Sequence, residues 1–340
     1  MRIWKRNEIA ARFDVARATR MVEQGFIAYS QGTARVPPIQ NIQFESVNGE
    51  CCIKSAYIVD ASTFAVKVSS GFYNNPAAGL PTNNGFTVLI SAHTGEPVAL
   101  LQDEGWLTSV RTAIAGQLAA RLLAPLEVEG IGIIGTGSQA RLQLAYLKPV
   151  TACREVHVWE PIPERCALFA SDMSAHGFEV HVHDTAEQVA GSANLIVTAT
   201  PSREALLQRE WIRPGTHITA VGADSMGKQE LDPGIVARAG AIVVDSIVQC
   251  SQYGEVSHAL SAGLIEKEAL VEIGTLLSAK RRGRNDADRT QVTVADLTGV
   301  AVQDAQIAES IVSPKARLQT MRTVSAGEKL PGAKKRIPRV

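Results

Sequence analysis

Three side chains in this sequence combine a reactive group with a neighbourhood that could use it: Lys67 in F-A-V-K-V-S-S-G-F, Arg111 in L-T-S-V-R-T-A-I-A-G, and Asp224 in A-V-G-A-D-S-M-G-K. An ammonium and a guanidinium can hold a carboxylate, the guanidinium in a bidentate fork. A carboxylate nearby can carry a proton to or from an amine or water. Local pattern leaves each residue open. Phe64, Val66 and Val68 alternate with Ala65, Lys67 and Ser69, which taken alone predicts a solvated lysine on the polar face of a strand. Arg111 has Ala, Thr and Gly around it on a helix, which leaves room for a ligand, and a surface arginine fits equally. Asp224 follows an apolar run, either at the carboxyl edge of a sheet or as the cap of a turn.

A fourth feature supplies context. Gly130 to Arg141 reads G-I-G-I-I-G-T-G-S-Q-A-R, a short apolar run ending in Gly135-x-Gly137-x-x-Ala140. The pattern predicts strand, tight turn and helix, the setting of a dinucleotide fingerprint. Gly135 permits the turn, Gly137 lets the backbone approach a pyrophosphate, and Ala140 lets the helix pack on the strand. The phosphates would meet free N–H groups at the helix N-terminus. About twenty residues past the glycines, E-V-H-V-W ends in Glu160, a carboxylate able to accept both ribose hydroxyls and to repel a 2′-phosphate. This favours NAD over NADP, with Arg165 close enough in sequence to weaken the discrimination. Thr198-Ala199-Thr200-Pro201 follows another apolar strand, where such a site has a loop.

Two kinds of architecture must position these groups. Asp14 predicts a helix cap, with Val15, Met21, Val22, Phe26 and Tyr29 near one face up to about Gln31. Strand-like runs follow at Ile39–Phe44, Cys51–Tyr57, Thr63–Val68, Phe86–Ser91 and Pro97–Leu101, separated by Gly and Asn clusters. Trp106 to Leu123 reads as a long helix. From Gly130 onward strands and helices alternate, with strands expected at Ile131–Ile134, Glu155–Trp159, Glu179–Val182, Leu195–Thr198, His217–Val221, Ile242–Asp245 and Gln291–Ala295. Helices such as Ile162–His176 and one near Gly299–Val312 complete the pattern. The expected fold is α/β: a mostly parallel sheet beside an antiparallel sheet with helices.

Composition narrows the function. The chain has 340 residues, with 34 Lys+Arg against 34 Asp+Glu, which gives no general electrostatic case for nucleic acid or an anionic membrane. No apolar run is long enough for a bilayer span, and the N-terminal residues lack a signal-peptide core. Five cysteines without a CxxC argue against a zinc site or a disulfide framework, so no metal is expected and the cytoplasm is the default location. The basic tail K-L-P-G-A-K-K-R-I-P-R-V reads as a solvated terminus.

Taken together, L-x-D-E-G-W-L-T-S-V-R-T-A-x-A-G, I-G-I-I-G-T-G-S-Q-A-R, A-V-G-A-D-S-M-G-K-Q-E-L-D and Q-V-T-V-A-D-L-T-G resemble, in order, the ornithine cyclodeaminase/μ-crystallin family. The resemblance runs from about Arg35 to about Asp304. It implies a homodimer in which residues 1–122 and 300–340 form an α+β substrate and dimerisation domain, with an NAD-binding Rossmann domain, 123–299, inserted between them. It further implies that Arg35, Lys67 and Arg111 hold a substrate α-carboxylate, that Thr298 touches substrate, and that Asp224, with Lys67 beside it, performs the acid–base chemistry. Thr82, Gly135, Gly137, Ser138, Gln139, Glu160, Thr200, Ala220, Val221, Gly222, Ala223, Lys228 and Leu297 would contact the cofactor.

At one position the chain departs from the family's cyclodeaminases. They use a glutamate thirteen residues before the active-site lysine to receive ornithine's second amine; here that position is Lys54. A cation there would repel the amine and suit a second carboxylate or another oxygen, or it is simply exposed at a sheet edge. K-S-A-Y-I, K-V-S-S-G-F-Y-N-N-P and G-L-P-T-N-N-G look more like the family's ectoine-utilisation and imino-acid-reducing branch. The expected activity is reversible NAD-dependent reduction of a small 2-imino acid, cyclic or dicarboxylic. The alternatives are a redox-neutral lyase (ornithine cyclodeamination, or dehydration of a cyclic hydroxy-amino acid) and a non-catalytic ligand-binding protein of the μ-crystallin kind.

Overall fold

The structure is a computed structural model and describes residues 1–313; the basic tail and the end of the expected second segment, 300–340, lie outside the described residues. Two large sheets organise the chain. The first has seven strands: from one edge Arg2–Lys5, Pro97–Gln102, Asn83–Ser91, Thr63–Phe72, Gly49–Ile58 and Ala34–Arg35, with Gln40–Phe44 also on Gly49–Ile58. All pairings are antiparallel except that of Arg2–Lys5 with Pro97–Gln102. The inner face is made of small or regular apolar residues, Ala56, Ala65, Leu89, Ala99 and Leu101, all buried. Their size lets two helices lie close against it, Val15–Ser30 and Val302–Val312, in one continuous core.

Asp14 caps the first of these helices by accepting from Arg17 N at 2.9 Å. Its buried stripe is Ala18, Val22, Gly25 and Phe26, and Val15 faces solvent instead. A Cβ on Gly25 would stand 3.1 Å from the Val302 carbonyl, so the glycine sets the approach of the last helix. That helix therefore returns the end of the described chain to the core of its beginning.

The second sheet is eight-stranded and wholly parallel: Glu179–Val182, Glu155–Trp159, Ile131–Ile134, Leu195–Thr198, His217–Ala220, Thr293–Asp296, Ala241–Val244 and Leu270–Glu272. The chain starts in the middle at Ile131–Ile134, winds outward through two strands, then crosses back to Leu195–Thr198. Between these two central strands the winding reverses, and the crevice outside their carboxyl ends is where such sheets bind ligands. Leu270–Glu272 at the edge and a short parallel pair, Arg203–Leu207 with Gln229–Leu231, were not legible as strands. Leu270–Glu272 and Gln229–Leu231 have three residues each, too few for periodicity to register, and Arg203–Leu207 has no polar–apolar alternation.

Helix Trp106–Leu123 joins the two sheets and is buried over most of its length. It rests on helix Ser138–Tyr146, where a Cβ on Gly116 would collide with Gln143. Gln143 Nε2 donates to Thr112 O at 3.0 Å. The helix that carries Arg111 is thereby fixed against the helix that follows the glycine turn. No helix among the described residues is long and apolar enough to cross a membrane.

Candidate active site

Lys54 and Lys67 are direct cross-strand partners, and Lys67 pairs in turn with Thr87. All three point to the covered face of the first sheet and are buried. The alternation around Lys67 is thus real but read with the wrong face inward: Ala65 and Lys67 are buried, while Phe64, Val66 and Val68 lie on the other, less covered face. Lys54 is likewise no exposed edge residue. Its Nζ donates to Gly299 O at 2.8 Å and reaches Thr298 O at 3.4 Å.

Arg111 enters from the long helix, also buried, and is not a surface arginine. Lys67 Nζ and Arg111 Nε both donate to Asp304 Oδ1 at 3.0 Å. Asp304 Oδ2 has no hydrogen-bond partner among the described residues. Arg111 also donates to Gln303 Oε1 at 3.4 Å. Gly299 is required at this point, because its φ of 86° is left-handed and a Cβ there would lie 2.6 Å from the guanidinium. Burial is the main cause that pulls the Lys67 ammonium down, to about 8, with Asp304 opposing and Arg111 and Lys54 adding to it. Burial alone would raise the Asp304 carboxyl; Lys67, Arg111 and Lys54 outweigh it and hold it below the usual range. Close by, burial pushes Asp103 up to about 6 although Leu107 N donates to it at 2.7 Å.

Behind this cluster Asp245 organises the loop that carries Thr298. Thr298 Oγ1, Gly299 N and Val300 N donate to its carboxylate at 3.1, 2.6 and 3.1 Å. Thr298 is buried against Gln249, whose Nε2 donates to its hydroxyl at 2.9 Å. Asp304 and Asp245 belong to this candidate site, and sequence reasoning passed over them. The signal for Asp304 was available: it shares a helical stripe with Ile307, Ala308 and Ile311, and a carboxylate on a buried stripe must be paired.

The glycine turn has the expected form. Gly135, at φ 98°, is pressed against Ala199 and Thr200, while nothing stands within 4 Å of a Cβ on Gly137. Ser138–Tyr146 begins at Gly137 without a side-chain cap, which leaves its first N–H groups to a ligand or solvent. Glu160 is nearly buried, accepts from the Thr136 hydroxyl, and pairs with the exposed Arg165 at 3.4 Å. Gln139 Nε2 reaches Ser109 O at 3.5 Å. Thr200, Gly222 and Thr198 are tied together by Glu230, a fully buried carboxylate absent from the sequence reading: Thr200 N and Oγ1, Thr198 Oγ1 and Gly222 N all donate to it within 2.9 Å. Ala220, Val221 and Ala223 are buried along the same carboxyl edge, and Leu297 N donates to Ala220 O at 3.0 Å. A dinucleotide fits this arrangement: an open helix N-terminus for its phosphates and a held carboxylate for a ribose.

Asp224 stands at the mouth, half exposed, on a turn made tight by Gly227 at φ 78°. The turn brings Lys228 Nζ to within 2.7 Å of Asp224 Oδ1. Thr82 is at the same end of the first sheet, one residue before Asn83–Ser91. Arg35 lies apart from the cations around Asp304. It lies on the two-residue edge strand, exposed, and its guanidinium donates to Gly32 O at 2.9 Å in its own turn. The buried cations around Asp304 are Lys54, Lys67 and Arg111; Arg35 does not join them.

A doubly wound parallel sheet, with its switch-point crevice beside a second sheet that buries cations, has the form of a dinucleotide-binding protein. Comparison with known proteins is more specific. The chain belongs to the ornithine cyclodeaminase/mu-crystallin family, whose sequence profile matches residues 2–317. Among solved structures it is similar to a Δ1-pyrroline-2-carboxylate reductase of Thermococcus litoralis in complex with NADH and L-proline, at a TM-score of 0.85 and 29% identity over 92% of this chain and 96% of that one. An archaeal alanine dehydrogenase dimer with bound NAD gives a TM-score of 0.83 and 32% identity, covering 92% and 94%. The iminosuccinate reductase of Paracoccus denitrificans in complex with NAD+ gives 0.81 and 30%, covering 92% and 95%.

Proposed function

We propose that the protein is an NAD-dependent oxidoreductase that reversibly reduces a small 2-imino acid to the amino acid. One observation carries the reading: three buried cations, Lys54, Lys67 and Arg111, gather on the sheet face beside the nucleotide crevice, where Asp304 pairs with Lys67 and Arg111 and, among the described residues, Lys54 meets only backbone carbonyls. Burying unpaired charge is costly, so such a surplus of cations calls for an anionic ligand. Lys67 and Arg111 hold the α-carboxylate and fix its orientation. Lys54 faces the distal end and favours an anionic or oxygen-bearing one, so among small imino acids a dicarboxylic one suits the site best. Asp224 exchanges the proton at the substrate nitrogen. The nicotinamide, when bound, supplies or accepts the hydride. Thr298 lines the substrate side; the glycine turn, Glu160, Thr200 and the run from Ala220 to Ala223 hold the dinucleotide. The similar structures that hold NAD+ or NADH support this reading.

The reading includes a homodimer in the cytoplasm, with residues 1–122 and 300–340 as one domain and 123–299 as the other. The outer face of the first sheet supports the dimer: Ile42, Phe44, Phe86 and Val98 are exposed on it, and apolar surface of that kind is normally covered. The test follows NADH absorbance and product mass across a panel of 2-oxo acids with ammonium, amino acids and diamino acids. Net NADH change with an amino-acid product supports the reading. Product without net NADH change replaces it with a lyase, and cofactor binding with no product replaces it with a binding protein.

A further inference from the structure

Lys228 is tied at both ends. Its Nζ lies 2.7 Å from Asp224 Oδ1 on its own turn and 3.7 Å from Glu50 Oε1, which belongs to strand Gly49–Ile58 of the other sheet. Glu50 Oε1 in turn accepts from the Tyr73 hydroxyl at 2.5 Å. Tyr73 N donates to Asn48 O at 3.0 Å, which fastens the end of that hairpin. The chain Tyr73–Glu50–Lys228–Asp224 therefore crosses the mouth of the crevice from one domain to the other. Lys228 is the buried member, while Glu50 and Asp224 are partly open to solvent. A buried ammonium needs its counter-charges in place. Burial would lower the Lys228 ammonium; Asp224, Tyr73 and Glu50 outweigh it and hold it above the ordinary range. Tyr73 is pushed up to about 12, chiefly by burial, so it stays a hydrogen-bond donor at neutral pH. His258 Nε2 donates to the Lys228 carbonyl at 2.9 Å and steadies the backbone beneath it.

We infer that Glu50 and Tyr73 are positioning residues for Asp224, acting across the domain boundary through Lys228. The inference rests on the proposed acid–base role of Asp224 and deepens it. The proton-carrying group of the nucleotide domain takes its place from the sheet that holds the substrate, so the acid–base group and the carboxylate clamp are set to one frame. Without Glu50, Lys228 keeps Asp224 but the pair is no longer anchored to the substrate sheet. Asp224 itself lies half in water on a five-residue turn and has no other side-chain hydrogen bond among the described residues.

Two measurements test this. The first needs no substrate. In Glu50→Gln and in Tyr73→Phe, amide exchange across the loop 222–228 is expected to rise on the order of tenfold, with Glu45→Gln as a control that leaves it unchanged. Unaltered exchange in both variants overturns the clasp. The second uses turnover of oxaloacetate with ammonium, followed by NADH oxidation, at saturating cofactor. Glu50→Gln is expected to lower kcat on the order of tenfold, with NADH affinity by fluorescence within twofold of the unaltered protein. Lys228→Arg should retain most of the rate that Lys228→Met loses. In an Asp224→Asn background, Glu50→Gln should have no further effect, because it acts only through Asp224. Full additivity of the two substitutions overturns the inference. If Asp224→Asn itself keeps its turnover while loop exchange still responds to Glu50→Gln, the clasp stands and the acid–base role of Asp224 falls.

Discussion

Replacing Asp304 by asparagine keeps the shape of the side chain and removes the charge that, among the described residues, meets Lys67 and Arg111 at 3.0 Å. All three groups are buried, so water cannot take the carboxylate's place. Removing one partner of a buried pair costs about 3–5 kcal/mol. The loss should also carry a pH signature. Lys67 sits at about 8 in the folded chain against an ordinary value of 10.5. Between those values the unfolded chain binds a proton that the folded chain lacks, so stability rises with pH, by about 1.4 kcal/mol per unit. In the unaltered protein this rise begins near pH 8. In the variant the group that holds the proton on Lys67 is gone, while burial, Arg111 and Lys54 still oppose it. Lys67 is then neutral in the folded state at pH 7, and the rise has already begun there. Asp304 is ionised in both states over this range and adds nothing to the slope. The penalty should therefore shrink by about 1.4 kcal/mol between pH 7 and pH 9. Urea unfolding at pH 7, 8 and 9 and fixed protein concentration measures it, since a dimer's stability depends on concentration. A penalty below about 1 kcal/mol, or one that does not change with pH, would refute the assignment of Asp304 as the shared counter-ion.

Catalytic efficiency should favour NAD(H) over NADP(H), because the nearly buried Glu160 opposes a 2′-phosphate; equal use of both would point to Arg165 as a compensating cation. Asp224→Asn should leave folding and NADH binding nearly intact and lower turnover on the order of 10²-fold, and a variant that keeps most of its rate would make Asp224 a turn residue only. L-Ornithine should not be converted to proline with release of ammonia, because its distal ammonium would meet buried Lys54; Lys54→Glu should weaken the native substrate more than NAD. A bound carboxylate should raise the Lys67 ammonium from about 8, so binding takes up a proton above that pH. The inhibition constant of propanoate should accordingly worsen about tenfold per unit above pH 8, and a flat profile to pH 10 would show that Lys67 does not meet the anion.

Periodicity located the long elements well. Trp106–Leu123, Ile131–Ile134, Glu155–Trp159 and Leu195–Thr198 fall where the apolar pattern put them, because a buried strand or helix repeats its demand over several residues. The glycine turn was equally legible, since Gly135 and Gly137 answer to local backbone needs that the sequence states directly. The acidic residue after the second nucleotide strand followed from the same unit. What local pattern could not say was which side of a strand faces in. Thr63–Phe72 alternates faithfully, but both of its faces carry apolar residues, so the identity of the covered face depends on what packs there. Helices Val15–Ser30 and Val302–Val312 lie on the side with Ala65, and together with Arg111 and the loop at Thr298–Gly299 they cover Lys67 and Lys54.

Partners distant in sequence were the other gap. Asp304 meets Lys67 and Arg111 across 237 and 193 residues, and Glu50 of the first sheet approaches Lys228 beyond the carboxyl edge of the second. Arg35, expected beside the clamp, lies exposed on its short edge strand and bonds within its own turn. By itself the sequence determined the class of fold, the dinucleotide turn and the charged residues from which a site could be made. Tertiary structure decided which of those charges are buried together. A charge acquires its chemistry from desolvation and from the counter-charges within a few ångströms, and both are set by how the helices close over the sheet.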